Sequence, residues 1–413
     1  KDWAKEKVAL EEVEKQFAAL RELEMGGAGS SADQKEKLAA ARKAFEQAQE
    51  EAGKFTEGEE YSKIIERNGG HGLNAFTMAD QTVYHVELPS NRLELWFHLE
   101  SDRFRDVVLR EFYKEKGAVK EERRMRVDSN PQGKLFEEFL AGSFRAHPYG
   151  RPTIGYMSDL ESLSATTARK FFDRFYTPNN MTISIVGDVQ TSEVKKLTEK
   201  YFGPMPRGPR IDPVPTIEPK QEGLRRIEVE SKAQPFVVLG WHGPAAKDAE
   251  SVAVDALTDV LSSGRTSRLH KSLIVDKKLA VAAGIFWGQP GQKYANLICA
   301  YAVPAPGKTN DECVNAILDE LDGVKRELVT EEELAIVKTR ASANFIRGLR
   351  SNMDLAQSLA MRIGTYGEWK GLFEQAAKIE KVTREDLQKV AKKYLVKSNM
   401  SRGEIAKQSK EKE

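Results

Sequence analysis

Between residues 204 and 223 the chain places Pro204, Pro206, Pro209, Pro213, Pro215 and Pro219 with no apolar period around them. Proline fixes its own φ, donates no backbone hydrogen bond and pushes the preceding residue toward extended backbone. Neither a helix nor a central strand can run through such a stretch. Pro204–Gly223 therefore reads as an extended linker, and the 413 residues must fold as separate bodies on either side of it.

Both sides mix strand-like and helix-like periods. Before the linker, Tyr61–Arg67, Leu93–Phe104, Phe112–Asp128, Gly133–Phe144 and Ser164–Tyr176 read as helices, while Thr82–Leu88 and Met181–Val186 alternate as strands. After it, Arg225–Glu230, Pro235–Trp241, Leu279–Trp287 and Ala295–Val303 read as strands. Helices are predicted over Ala249–Ser262, Ser267–Asp276, Asn310–Glu327, Thr330–Leu349, Asn352–Tyr366 and Thr383–Lys393. Strands and helices are segregated rather than strictly alternating. That predicts an α+β fold of two duplicated layers, each a mainly antiparallel sheet with helices on one face.

Residues 1–54 stand apart, rich in Glu, Lys, Ala and Gln. Leu10, Val13, Phe17 and Leu20 follow a helix seam, and Leu38, Ala41, Phe45, Ala48 and Ala52 repeat it around the break Gly26–Ser31. An antiparallel helical hairpin, a spacer or surface arm, is expected there. The resulting organisation is a hairpin (1–54), a first domain (55–203), the linker (204–223), a second domain (224–400) and a polar tail (401–413) that reads as disordered.

Charge and cysteine content narrow the function. The chain has 64 Lys+Arg against 63 Asp+Glu, a formal charge of +1, which offers no basic excess for displacing counterions from nucleic acid. Cys299 and Cys313 are too few for a disulfide framework or a four-cysteine metal site. No apolar run is long enough to span a bilayer. The first residue is Lys1 rather than Met, with no signal segment before it, and the chain reads as a processed product or a fragment. Gly70-x-Gly72-x-x-Ala75 resembles a dinucleotide fingerprint, but a helix precedes it and a strand follows, the reverse of the order that aims amides at a pyrophosphate. None of the six histidines forms an i, i+4 pair, so each reads as structural or surface. Glu115 and Glu122, seven residues apart on one predicted helix, share a face with Val119 between them. Two stacked carboxylates could hold a divalent cation; a solvated Glu/Arg face built of i, i+4 pairs is the competing reading.

In order along the chain, Gly69–Thr77, Thr82-Val83-Tyr84, Leu99–Arg103, Glu115–Arg126, His147–Gly150, Tyr176–Asn180, Val186–Val189 and Ser263–Leu269 together resemble the insulinase (pitrilysin) family of zinc metallopeptidases. The resemblance spans roughly residues 55–395 and implies hydrolysis of peptides or unfolded polypeptides by a zinc-activated water. It implies that Glu122 is a zinc ligand facing the cavity, that Glu115 is the carboxylate beside it, and that Asn74, Ala75, Phe76 and Thr77 begin an edge strand on which a peptide pairs. The family's His-x-x-Glu-His helix is absent from these residues, so the resemblance implies a Zn2+ site that is incomplete here and a chain silent by itself. A non-catalytic subunit that completes the chamber of an active peptidase is the alternative. A scaffold of the respiratory-complex core type is a third. The resemblance further implies a homodimer or pairing with a related half, and a periplasmic or secreted location in a bacterium.

Overall fold

The computed structural model describes residues 2–26 and 31–407. The expected hairpin is present as α1 (Trp3–Met25) and α2 (Ala32–Gly53); residues 27–30 of the expected glycine break lie outside the described residues. Phe17 meets Phe45, and Glu24 meets Arg42, a pairing that runs in opposite directions along the two helices. Phe17 and Phe45 both pack on Tyr113, with ring centroids 4.7 and 5.0 Å away. Glu14 receives the Tyr113 hydroxyl and the backbone N–H of Thr166, and buried Glu6 pairs with Arg110. Aromatic packing and two carboxylates, buried Glu6 and half-buried Glu14, thus root the charged arm on the body of the protein.

The first half continues through α3 (Glu60–Arg67), β1 (His71–Thr77), β2 (Thr82–Glu87), α4 (Leu93–Arg105), α5 (Phe112–Arg123), α6 (Pro131–Ser143), α7 (Met157–Ser162), α8 (Ala165–Phe175) and α9 (Thr191–Tyr201). Phe97, Leu197, Phe202 and Met205 form the core between α4 and α9. β1 and β2 pair antiparallel with each other and with no further strand among the described residues. The strand expected over Met181–Val186 does not form a ladder. That segment is extended, and its backbone hydrogen bonds lie only at its ends, from Met181 N–H to Pro178 and from Val189 N–H to Gly187. A strand exists only where a neighbour supplies complementary backbone groups, and here none does.

The second half carries β3 (Arg225–Ser231), β4 (Phe236–His242), α10 (Ser251–Ser262), β5 (Ala280–Gln289), β6 (Leu297–Pro304), α11 (Asn310–Arg326), α12 (Glu331–Gly348), α13 (Asn352–Tyr366), α14 (Gly371–Glu380), α15 (Arg384–Tyr394) and β7 (Met400–Lys407). The sheet order is β3-β7-β4-β6-β5, antiparallel except for β3 against β7. Capping boxes at Thr309, Thr330 and Thr383 start α11, α12 and α15 by closing the orphan amides of the first turn. Helices α10, α11 and α15 bury one face of the sheet around Leu239, Trp241, Leu257, Ile317 and Leu387. The other face is covered by α6 from the first half, through Leu135 and Phe139 against Val238, Cys299 and Ile405. The α+β fold class therefore holds.

One boundary needs correcting. The polar tail expected from residue 401 is instead β7, the strand between β3 and β4, as far as residue 407; residues 408–413 lie outside the described residues. Gly403 lies under Phe139, where a Cβ would come within 2.8 Å of the ring, and Ile405 joins the same core. On the opposite face Arg402 pairs with Asp311 at 2.7 Å and Glu404 at 2.6 Å. A strand of polar composition is accommodated here because Arg402 and Glu404 partner each other and Arg402 also meets Asp311.

Candidate active site

The β1–β2 hairpin is the natural starting point, because among the described residues β1 has no strand on its side away from β2. Asn74, Ala75, Phe76 and Thr77 pair with His85, Tyr84, Val83 and Thr82 on the inner side, leaving the alternate backbone groups of β1 open on the outer side. All four are exposed except Phe76, which is half-buried against His85. The register slips between His71 and Asn74, where Gly72 takes φ +63°, a left-handed conformation that a side chain would strain. His71 Nδ1 lies 3.3 Å from the Glu87 carboxylate across the hairpin.

The other edge of the hairpin, β2, opens into a cleft of about 1060 Å3. It is lined also by segment 181–189, by Leu93, Trp96 and Phe104 of α4, and by Asn352 and Met353 of α13. At the back, Glu100 is almost wholly buried, accepts from the Tyr61 hydroxyl and pairs with Arg103. The Arg103 guanidinium stacks at 4.8 Å on Tyr84 and 4.5 Å on Phe104. Tyr84 and Tyr176 join hydroxyls at 2.9 Å, and burial together with that bond pushes the Tyr84 phenol up.

Helix α5 carries the two acidic candidates. Glu115 is exposed in its first turn, and Glu122 is partly exposed in its last turn, ion-paired to Arg126 at 2.8 Å. Neither lines the cleft beside β2. A π-turn, Arg124–Asp128, follows α5, and Gly133 fits against it so closely that a Cβ would overlap the Arg126 carbonyl. The residue that anchors this end is Arg123, which the sequence reading left without a role. It is 5% exposed and forks onto both oxygens of Glu137 at 2.7 and 2.9 Å while donating to the Gly155 carbonyl at 2.7 Å. Glu137 lies fourteen residues away on another helix, a separation with no local periodic signal. Also on α5, Lys116 lies 4.1 Å over Phe17, and burial drops its ammonium to about 8.

Among the described residues no three His, Cys, Asp or Glu side chains come together in a group able to hold a metal. Glu122, committed to Arg126, and exposed Glu115 do not make a zinc site by themselves, since such sites take three protein donors.

A second cluster ties the halves together. Glu218 of the linker accepts from the backbone N–H groups of Arg145, Ala146 and His147 at 2.7, 2.9 and 2.9 Å. Burial opposes its charge, but these amides hold its carboxyl below the usual range. His147 and His242 both pack on Phe144, and burial lowers the pKa of each imidazole.

Comparison with known proteins covers most of the chain. Residues 27–156 match the insulinase family (peptidase family M16), and residues 162–341 match the peptidase M16 inactive domain. The zinc protease PqqE of Helicobacter pylori is 30% identical over 341 residues, covering 81% of this chain and 76% of the relative. An uncharacterized zinc protease of Mycobacterium leprae is 28% identical over 345 residues, with coverage of 81% and 76%. Among solved structures, a protease from Helicobacter pylori superposes with a TM-score of 0.77 at 29% identity, covering 84% of each chain. The first half of the periplasmic protease PqqL from Escherichia coli shares the fold, with a TM-score of 0.66 at 17% identity over 84% of this chain and 79% of that one.

Proposed function

We propose that this chain, which belongs to the insulinase family (peptidase family M16), is one half of a zinc-dependent metalloendopeptidase acting on peptides or unfolded polypeptides. The observation that carries this reading is the open outer edge of β1. Along Asn74, Ala75, Phe76 and Thr77 the alternate backbone groups turned away from β2 are offered to an extended substrate, with the Ala75 N–H held at 2.8 Å by Asn74 Oδ1, which a pairing peptide would displace; this mode of binding makes little demand on substrate sequence. Family membership supplies the chemistry: zinc would lower the pKa of a bound water and polarise the scissile carbonyl. Within that scheme Glu122 would be this chain's ligand and Glu115 the carboxylate beside it. The remaining donors would have to come from outside the described residues.

A half of this kind works against a second one. The likeness to the first half of PqqL supports pairing with a related half, or with a second copy of this chain. The named location of that protein, and the family resemblance, support a periplasmic or secreted setting. The match of residues 162–341 to the family's inactive domain is compatible with this reading and with one competing reading, a non-catalytic partner that completes the chamber of an active peptidase.

The purified chain is expected to hold well under one equivalent of zinc and to leave an unfolded peptide intact. One equivalent of tightly held zinc, or cleavage by the chain alone, refutes the incomplete-site reading. The reading frame upstream of Lys1 then separates the two remaining readings. A His-x-x-Glu-His segment there supports the peptidase half, and its absence supports the partner subunit.

A further inference from the structure

The β1–β2 hairpin belongs by sequence to the first domain, yet its turn is held by the second. Asp80, in that turn, accepts from the Tyr149 hydroxyl at 2.5 Å through Oδ1. Its Oδ2 accepts from the backbone N–H groups of Gln292 at 2.7 Å and Lys293 at 3.1 Å, in the loop joining β5 to β6. The Tyr149 hydroxyl in turn accepts from the Tyr294 N–H at 3.3 Å. Gly291 completes the socket. A Cβ there would lie 2.5 Å from Asp80 Oδ2 and 2.7 Å from the Tyr149 oxygen, so no larger residue lets the loop come this close. The next residue, Gln81, reaches the Met361 carbonyl at 3.5 Å, and a Cβ on Gly364 of α13 would overlap its amide oxygen.

An isolated two-stranded hairpin is marginal in water, and among the described residues no third strand pairs with this one to fix its direction. Its orientation must come from its mounting. A carboxylate that accepts two amides and a hydroxyl makes charge-assisted bonds, stronger than neutral ones and directional. We propose that Asp80 is a positioning residue: it fastens the hairpin to the second domain and so fixes the angle and register at which β1 meets an incoming peptide. This gives the second domain, which carries neither acidic candidate, a part in substrate binding. The inference rests on the reading of β1 as the peptide-pairing strand, and holding that edge rigid lowers the ordering cost of binding.

The test uses the full chain and a fluorescein-labelled ten-residue peptide of alternating Val and Thr. Binding is read by anisotropy, and amide exchange is followed at residues 71–77. The unsubstituted chain binds and gains protection there. Asp80→Ala and Gly291→Ala, which break the socket from opposite sides, weaken binding tenfold or more without moving the melting of the second-domain core. Asp80→Asn, whose amide oxygen still accepts the two backbone bonds, stays within threefold of the original chain, and Tyr149→Phe falls between. Unchanged affinity in both Asp80→Ala and Gly291→Ala overturns the role of Asp80 while leaving the β1 reading intact. If the unsubstituted chain neither binds nor protects 71–77, the β1 reading fails and the role of Asp80 falls with it.

Discussion

Replacing Arg123 by Met removes a charged fork of nearly the same length while preserving apolar bulk. The guanidinium is buried, makes two bonds to Glu137 at 2.7 and 2.9 Å, and supplies a donor to the Gly155 carbonyl at 2.7 Å. The Glu137 side chain is 12% exposed, so Arg123→Met leaves a carboxylate with little water and no counter-charge. Breaking one side of a buried pair costs about 3–5 kcal/mol, chiefly because the surviving charge is stranded. At about 1.4 kcal/mol per factor of ten, that is a loss of roughly 10²- to 4 × 10³-fold in the folding equilibrium of the first half. The pair itself contributes far less than this, because Arg123 also pays desolvation and its Nε has no partner. The double variant Arg123→Met/Glu137→Leu should therefore recover most of the loss, to within about 1–2 kcal/mol of the original chain. Urea denaturation followed by circular dichroism, with the slope of the transition held constant, measures both. A double variant as unstable as the single, or a single costing under about 1 kcal/mol, refutes the account of Arg123 as a charge held in place by Glu137.

Three further outcomes are expected. Burial holds the His147 and His242 pKa values below 6.5, so the unfolded chain binds more protons than the folded one as pH drops past that value; their contribution is complete above it and is lost on acidification. Glu218, held below its ordinary 4.5, adds a second loss below that pH; a Tm that stays flat or rises from pH 7.5 to 5 contradicts the first, and one that does so from pH 5 to 3 contradicts the second. Gly240→Ala puts a Cβ 2.6 Å from Phe139, prising α6 off the sheet at about 1–3 kcal/mol, and thermal melting with an unchanged Tm would show that α6 is not seated there. Backbone amides of 182–186, without ladder partners, should exchange far faster than those of 237–241 in β4, and equal protection in the two segments would show that the cleft is closed in solution.

Much of the architecture was legible because it is local. The seam through Val13, Phe17 and Leu20 places their side chains on one buried stripe of α1, and the Thr-x-x-Glu/Asp boxes mark helix starts without help from distant residues. The alternation in Thr82–Glu87 specified a strand because a residue-by-residue change of face needs no knowledge of the partner. The same alternation at Met181–Val186 could not form a ladder, since pairing belongs to two segments and the second is not at hand. Conversely, Met400–Lys407 looks like a tail by composition and is a central strand, because Gly403 admits Phe139 and Arg402 finds Asp311, neither of which is visible within the strand itself.

For the candidate site the division is sharper. Residue order gave the acidic helix with Glu115 and Glu122, and the family resemblance implied a strand beginning at Asn74, since motifs in sequence survive as patterns of residue type. Only the folded chain showed that Arg123 locks the end of that helix to Glu137, that Asp80 hangs the hairpin from the loop at Gln292 and Lys293, and that Glu218 clasps the segment around His147. Short-range steric and hydrogen-bonding preferences act over a few residues and are written in the order of the chain. Charges meet their partners across tens or hundreds of residues, and where they meet is decided by packing.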